Sequence, residues 1–522
     1  MNALAIDLGT TAAKVSVISD TGAILGSGIA GVTTVFASGG HAEQDAEAVW
    51  QAVLSAACQA LHGAGPKSVA EVKVVCATSQ WSSIVPVNAN GLPVGPMMTW
   101  MDHRGGRYQK VLTAGPSGSE ADAHAAQAHW AAVHGLHPST SLGHMLFLQN
   151  EQTKLHDRVA AYLEPMDYLN ARLCGILAAT GCTAMPLALT DNRTLGDVRW
   201  SADLIARSGI DASKLPEIVP SLTVLGPLLA GVATALGVPK DAVVVAGAND
   251  SVAAALGTAA LSPGQATVVM GTTGVLTAHH PRRVVDASKF IVTMPSALSD
   301  RYYVMAEAGL GGKVLEVFLQ EMLSEMVQGA NGSTGNPNPD DGFNRMSGEV
   351  AHVPAGSDGL MFLPWLLGSA APRVDGRQRG AFLGLSLHTT RAHMLRAVLE
   401  GIAMQMRWLT DEVEETLGTT VPMVRFAGGG AQSDVWSQTM ADVLGRSVEQ
   451  LREPRHANAR GAGLLGFLSL GLIGVDDLAS IVPIRRRYEP IRAHTALFND
   501  RMQIYRDLHE QLGSTFAKLS SQ

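Results

Sequence analysis

The sequence predicts an α/β protein of two domains with a cleft between them, on three observations. Segments reading strand, helix, strand follow one another from the start of the chain. A Gly-Thr-Thr turn between apolar runs occurs at Gly9-Thr10-Thr11 and again at Gly271-Thr272-Thr273, so Thr10 and Thr272 stand 262 positions apart, about half of the 522 residues. That length also exceeds what one hydrophobic core commonly serves.

Leu4 to Val17 carries the first turn. Its flanking runs are apolar and partly β-branched, which predicts a hairpin whose turn offers backbone N–H groups and two hydroxyls to an anion. Asp7 precedes the turn closely enough to hold a divalent cation, and Lys14 follows within reach of a negatively charged oxygen. Carboxylate, hydroxyls and ammonium around one turn point to a phosphate with its metal. A single such turn is ordinary hairpin chemistry, but two copies fit opposite ends of one polyphosphate. The second copy has no acid matching Asp7, so one half alone is expected to carry the metal.

Composition narrows the class. The chain is 46% hydrophobic and 16% charged, as in globular proteins, and a net charge of −8 without a long basic run argues against nucleic acid as a partner. No uninterrupted apolar segment of the roughly 20 residues needed to span a bilayer is present, and no basic, apolar leader opens the chain, so a cytoplasmic protein without membrane attachment is expected. Cys58, Cys76, Cys174 and Cys182 show no metal spacing and read as buried free thiols.

Between the two turns, Val49, Val53, Leu54, Ala57 and Leu61 recur at helical spacing and predict an amphipathic helix over Ala46 to Leu61. Val72 to Ala77 reads as a buried strand leading to Thr78-Ser79-Gln80-Trp81-Ser82-Ser83. There Gln80 and Trp81 are either ligand groups on a strand-end loop or a capping Gln and a packed Trp. In Pro96 to Arg104, Trp100, Asp102 and Arg104 alternate as on an extended segment. They would share one face, a ring to stack on a sugar beside a carboxylate accepting from vicinal hydroxyls; a surface ion pair is the alternative. The histidines between His124 and His156 have mixed spacings, which predicts solvated helix faces and no zinc site.

Ala242 to Leu256 reads as a buried strand ending at Gly247-Ala248, then a small-residue helix beginning near Asp250. Asn249 or Asp250 could cap that helix. A carboxylate there could also accept the proton of an attacking hydroxyl, its charge supported by the helix dipole. Gly309 to Lys313 is not a P-loop, because Glu307 and Val314 stand where Gly and Ser or Thr are required. Gly329 to Phe343 is expected to be an exposed loop and Arg391 to Leu417 a packing helix. Strand Met423 to Ala427 then runs into Gly428-Gly429-Gly430, ahead of a helix from Asp434 to Leu444. Such glycines admit a flat ligand such as an adenine ring, whereas a dinucleotide fingerprint would need a third spaced glycine. Gly461 to Leu470 is a closing helix of small residues.

Gly380-Ala-Phe-Leu-Gly-Leu385, then seven residues, then His393-Met-Leu-Arg-Ala-Val-Leu-Glu400 is similar to the second signature of the FGGY carbohydrate kinases at every specified position. Nearly the whole chain resembles that family, most of all its xylulokinase branch. The resemblance implies a two-domain ATPase fold of the actin and hexokinase type, ribonuclease H-like. It would divide into a sugar-binding domain with the first phosphate motif at 1–248 and a domain with the second phosphate and adenosine motifs at 249–522. ATP, Mg²⁺ and a sugar are the implied ligands, and a homodimer is expected. By the same resemblance, Thr10, Thr11 and Lys14 belong to the first phosphate motif with Asp7 on the metal, and Gly271, Thr272 and Thr273 to the second. Gly428, Gly429 and Gly430 match the adenosine motif. Trp100 and Asp102 match the sugar site, beside Gln80, Trp81 and Ser251, and Asp250 matches the general base.

Departures from the family bear on the substrate. His144 and Phe147 stand where Lys and Trp are usual near the first signature. Ser79-Gln80-Trp81-Ser82 replaces Gly-Gln-Met-His, Asn249-Asp250-Ser251 replaces Gly-Asp-Asn, and Trp100-Met101-Asp102 replaces Trp-Asn-Asp. These exchanges alter hydroxyl partners and pocket volume, so D-xylulose leads a field that includes other ketoses, sugar acids and polyols. A catalytically silent sugar sensor on the same scaffold is the rival reading; Asp7 and Asp250 together weigh against it.

Overall fold

The computed structural model describes residues 1–115, 117–286, 289–322 and 339–520. The chain begins with three antiparallel strands, β1 (Asn2–Leu8), β2 (Ala12–Ser19) and β3 (Ile24–Gly31), followed by β4 (His41–Gln44). Helix α1 (Ala46–Ala70) is capped by the Asp45 carboxylate and leads into β5 (Val72–Ser79), parallel to β1. Beyond these come α2 (Thr140–Glu151), α3 (Pro165–Cys174), β6 (Val224–Pro227), β7 (Val243–Val245) and α4 (Asp250–Thr258). The first sheet runs in the order β6-β7-β5-β1-β2-β3.

The second half repeats the plan. Hairpin β8 (Gln265–Met270) and β9 (Thr273–His280) is followed by β10 (Val285–Asp286), β11 (Ile291–Pro295), β12 (Tyr302–Leu310) and α5 (Gly312–Met322). Then come α6 (Arg391–Leu417), β13 (Met423–Ala427), α7 (Asp434–Leu444), β14 (Ser447–Leu451), α8 (Ala457–Ser469) and β15 (Ile484–Tyr488). Its sheet order is β10-β11-β12-β9-β8-β13-β14-β15. Setting β8 on β1 puts β9 on β2, β12 on β3, β13 on β5 and β14 on β7, with the same parallel and antiparallel pairings.

Helices α4 and α8 lie between the sheets. They approach so closely that a Cβ on Gly461 would sit 1.7 Å from the Ala253 carbonyl oxygen and one on Gly257 1.9 Å from that of Ala457, so both positions exclude any side chain. One core packs α1 and α3 on the outer face of the first sheet, another packs α6 and α7 on the second, and a third, around α4 and α8, joins the two sheets. Among the described residues no helix is long and apolar enough to cross a membrane.

Several expectations are corrected. The helix expected to end at Leu61 continues to Ala70 through a break at Gly65, whose φ of +77° precedes Pro66. Trp100, Asp102 and Arg104 do not share the face of a strand: the Asp102 N–H donates to the Thr99 carbonyl (2.9 Å), so the segment turns and alternation fails. His134 and His144 are fully buried rather than solvated, and burial pushes the His134 ring down to about 4. Cys58 is exposed, although Cys76 and Cys182 are buried and all four thiols are free. Of the expected loop at 329–343, residues 329–338 lie outside the described residues, and a helix begins at Pro339 (Pro339–Val350).

Candidate active site

Alternation along β1 sends Leu4, Ile6 and Leu8 into the core under α1, and Ala3, Ala5 and Asp7 to the face covered by α4 and α8. Asp7 therefore ends a buried strand at the top of the layer between the sheets, cross-strand from Lys14 on β2. Asn458, in the first turn of α8, donates Nδ2 to Asp7 Oδ1 at 3.5 Å. Loss of water raises the Asp7 carboxyl above its usual range, against the opposing pull of Lys14, Asn458 and His456.

The cap of α4 is Asn249, whose Oδ1 accepts from the Val252 N–H (3.1 Å). Among the described residues the half-buried Asp250 carboxyl accepts from its neighbour Ser251, at the N–H (2.7 Å) and at Oγ (3.4 Å). Burial and then the neighbouring Asp7 push Asp250 up to about 7, with Ser251 and Lys14 opposing. Asp250 and the Asp7–Lys14 pair, more than 230 positions apart in sequence, thus act on one another electrostatically.

The first turn is fixed by side chains. Thr10 Oγ1 donates to Gln80 Oε1 (2.7 Å) and accepts from the indole N–H of Trp100 (3.2 Å), while Thr11 and Lys14 are exposed. The second turn is fixed by backbone: the N–H groups of Gly311 and Lys313 donate to the Thr272 carbonyl, and that of Gly312 to the Gly271 carbonyl (2.8 Å). A Cβ on Gly312 would lie 2.5 Å from the Gly271 oxygen. The segment that fails as a P-loop is therefore the buttress of the second turn. Glu307 on β12 faces Thr273, its carboxyl raised by loss of water.

Gly428, at a φ of +85°, and Gly430 are glycines for packing: their Cβ atoms would meet the Met270 backbone at 2.5 Å and the Trp436 ring at 2.6 Å. Gly428 and Gly429, but not the buried Gly430, line a cavity of about 670 Å³ together with Asp7, Lys14, Gly271, Arg455, His456 and Asn458. Metal, phosphate and adenosine candidates from both halves share that wall.

Of the sugar-site candidates, Trp100 is 47% exposed, Trp81 and Ser251 are half-buried and Gln80 is buried. Asp102 has no exposed surface. Its oxygens accept from the Ala42 N–H and from the Arg104 N–H and guanidinium, while Arg104 also pairs with Glu43. It stands behind the wall and pins the Trp100 turn. Glu164, fully buried at the start of α3, accepts from the Ser83 N–H and the Ser141 hydroxyl (both 3.3 Å), and burial holds its carboxyl well above the usual range. Sequence reading missed Asn458, Gln44, Glu307 and Glu164, none of which belongs to a spaced motif.

Comparison with known proteins agrees with this layout. A model of the FGGY family of carbohydrate kinases, N-terminal domain, matches residues 2–257, and one of its C-terminal domain matches 266–470. The chain is similar to the gluconokinase of Bacillus subtilis strain 168, 24% identical over 519 residues, covering 99% of this chain and 97% of that one. It is also similar to the xylulose kinase of Lactococcus lactis, 26% identical over 517 residues, covering 97% and 96%. Among solved structures, ligand-bound xylulose kinase from Lactobacillus acidophilus superposes with a TM-score of 0.83 at 21% identity over 99% of each chain. Plasmodium falciparum glycerol kinase with ADP gives 0.80 at 18% identity, over 97% of this chain and 98% of that one. These structures share the two-domain actin and hexokinase type of fold expected from the sequence. With both halves of the family matched in order along the chain, the protein belongs to the FGGY family of carbohydrate kinases and is an ATP-dependent sugar kinase.

Proposed function

We propose that the protein transfers the γ-phosphoryl of MgATP to a terminal primary hydroxyl of a neutral ketose, D-xylulose first among them, giving D-xylulose 5-phosphate. The reaction would take place between lobes 1–248 and 249–522. The observation that carries this reading is Asp250: a half-buried carboxyl pushed up to about 7 by burial and by Asp7, which itself lines the cavity shared with Lys14, Gly271, Gly428 and Gly429. A base of that strength can take the hydroxyl proton near neutral pH, then lose it again.

Phosphoryl transfer needs alignment and charge neutralisation more than covalent help. Backbone N–H groups of the two turns, with Lys14, would hold the phosphates, and Gly428 and Gly429 would admit the adenine. Asp250 would orient the attacking hydroxyl and accept its proton. The donor set fits a hard cation: Asp7 is an undersatisfied carboxylate, and among the described residues no group of three or more His, Cys, Asp or Glu forms a protein cage, so phosphate and water would complete the shell. Bound there, Mg²⁺ would neutralise phosphate charge. Apposition of the lobes would exclude water from the transfer.

Charge favours a neutral acceptor. Asp250 stands beside Asp7, and of the cations at the candidate sugar and phosphate residues Arg104 is taken by Asp102 and Glu43 while Lys14 lies cross-strand from Asp7. The relatives named gluconokinase support a second reading, a sugar acid, whose carboxylate would need a cation in the sugar pocket. ADP release measured with D-xylulose, D-ribulose, xylitol and D-gluconate tests the choice. A neutral compound should exceed gluconate in kcat/KM by more than about 10-fold, one good hydrogen-bonded charge; gluconate as the preferred acceptor overturns the reading.

A further inference from the structure

Thr10 sits in a closed ring of hydrogen bonds. Its hydroxyl donates to Gln80 Oε1 (2.7 Å), Gln80 Nε2 donates to Gln44 Oε1 (3.2 Å), and Gln44 Nε2 returns to the Thr10 carbonyl (2.7 Å) while also reaching Thr34 Oγ1 (2.9 Å). Gln44 and Gln80 are buried, so these bonds are shielded from water and their breakage leaves polar atoms unpaired. The single Thr10 hydroxyl proton is spent on Gln80 and is not free for a phosphate. What the hydroxyl still offers is a lone pair, and the Trp100 indole N–H occupies it at 3.2 Å.

Trp100 is the one member of this set with an open face, 47% exposed. Anything stacked on that face fixes the ring, and the ring fixes the orientation of its N–H towards Thr10. Through the Gln80–Gln44 ring the turn backbone is then held as a unit, because Gln44 grips the Thr10 carbonyl from the opposite side. Ordering the turn before a nucleotide arrives lowers the entropy that nucleotide binding must spend, which produces cooperativity without a large movement.

We propose that the Trp100 N–H and Gln44 couple occupancy of the sugar pocket to nucleotide affinity, with Gln44 as a positioning residue for the first phosphate turn. This rests on the reading that Trp100 is the sugar platform and the Thr10 turn a phosphate loop. Coupling of this kind is reciprocal: the sugar tightens the nucleotide by the factor by which the nucleotide tightens the sugar.

The test is calorimetric titration of ADP into the intact protein, with and without saturating D-xylulose, for the unaltered chain, Trp100→Phe and Gln44→Met. Phe keeps a stacking face and loses the N–H; Met keeps the length of Gln and loses every polar bond. In the unaltered protein the sugar should tighten ADP by about 5- to 10-fold, and in each variant that factor should fall below about 2-fold, while Trp100→Phe still binds the sugar. Trp100 is half-open to solvent, so its variant carries the test should Gln44→Met fail to fold. Full coupling in Trp100→Phe, or an unaltered protein whose ADP affinity ignores a sugar it phosphorylates, overturns the proposal. If D-xylulose is not phosphorylated, the substrate reading fails instead, and the same titration is run with the panel compound that releases ADP fastest. A panel in which no compound releases ADP overturns both.

Discussion

Asp250→Asn should inactivate the protein and stabilise it. The folded-state carboxyl stands at about 7 against an ordinary 3.8, so the native chain still holds a proton that the unfolded chain releases as pH rises from about 4 to 7. Through that window the unfolded state binds fewer protons, and stability therefore falls with increasing pH. Moving a carboxyl that far disfavours its charged form by roughly 4 kcal/mol, an upper bound that relaxation around a half-buried group reduces to about 1–4 kcal/mol. Asparagine keeps the shape and drops the charge. Urea unfolding of both proteins without ligands should show the variant more stable at pH 8, with the gap closing towards pH 4. Turnover should fall by about 10²- to 10⁴-fold, the usual share of a general base. A variant less stable than the unaltered chain at pH 8, or a gap independent of pH, would refute the argument that desolvation beside Asp7 sets this carboxyl.

Three other perturbations separate the parts of the site. Glu164→Gln should retain kcat within a few-fold, because burial favours the neutral form of the native carboxyl, whereas Glu164→Ala leaves the Ser83 N–H unpaired and should cost about 1–3 kcal/mol in unfolding experiments. Gly312→Ala forces a methyl against the Gly271 oxygen at 2.5 Å and should raise KM for ATP by about 10-fold, the effect of 1–2 kcal/mol of strain, with sugar affinity unchanged. Asn458→Ala removes the side-chain donor on Asp7 and should shift the Mg²⁺ dependence of ADP affinity while leaving ADP binding in a chelator as it was. Titrations across Mg²⁺ concentration check this, and identical curves for the two proteins count against Asp7 as the metal carboxylate.

What the sequence disclosed was local. The strand Met423–Ala427 and the helices Asp434–Leu444 and Arg391–Leu417 follow from apolar periodicity and punctuation by glycine, and the chain obeys them, while the hairpin around Gly9-Thr10-Thr11 runs past Leu4 and Val17 to Asn2 and Ser19. Trp100, Asp102 and Arg104 obey neither rule, because a turn closed by the Thr99 carbonyl interrupts the alternation and drops Asp102 behind the wall. The glycine run was legible, but not the reason for it: Gly428 and Gly430 are demanded by Met270 and Trp436, which only tertiary packing brings near. Asn458 meets Asp7 across 451 positions, and no spacing rule reaches that far. Glu307–Thr273 and Gln44–Thr10 are likewise closed by neighbouring strands rather than by neighbouring residues.

The central step is a phosphoryl group passing from ATP to a neutral sugar at Asp250. Phosphorus NMR of a reaction containing ATP, Mg²⁺ and D-xylulose should show a sugar monoester resonance growing in step with ADP in the unaltered protein. The resonance should be absent with Asp250→Asn at equal nucleotide occupancy. ADP accumulating with inorganic phosphate alone, or a sugar ester formed at the normal rate by the asparagine variant, would contradict it.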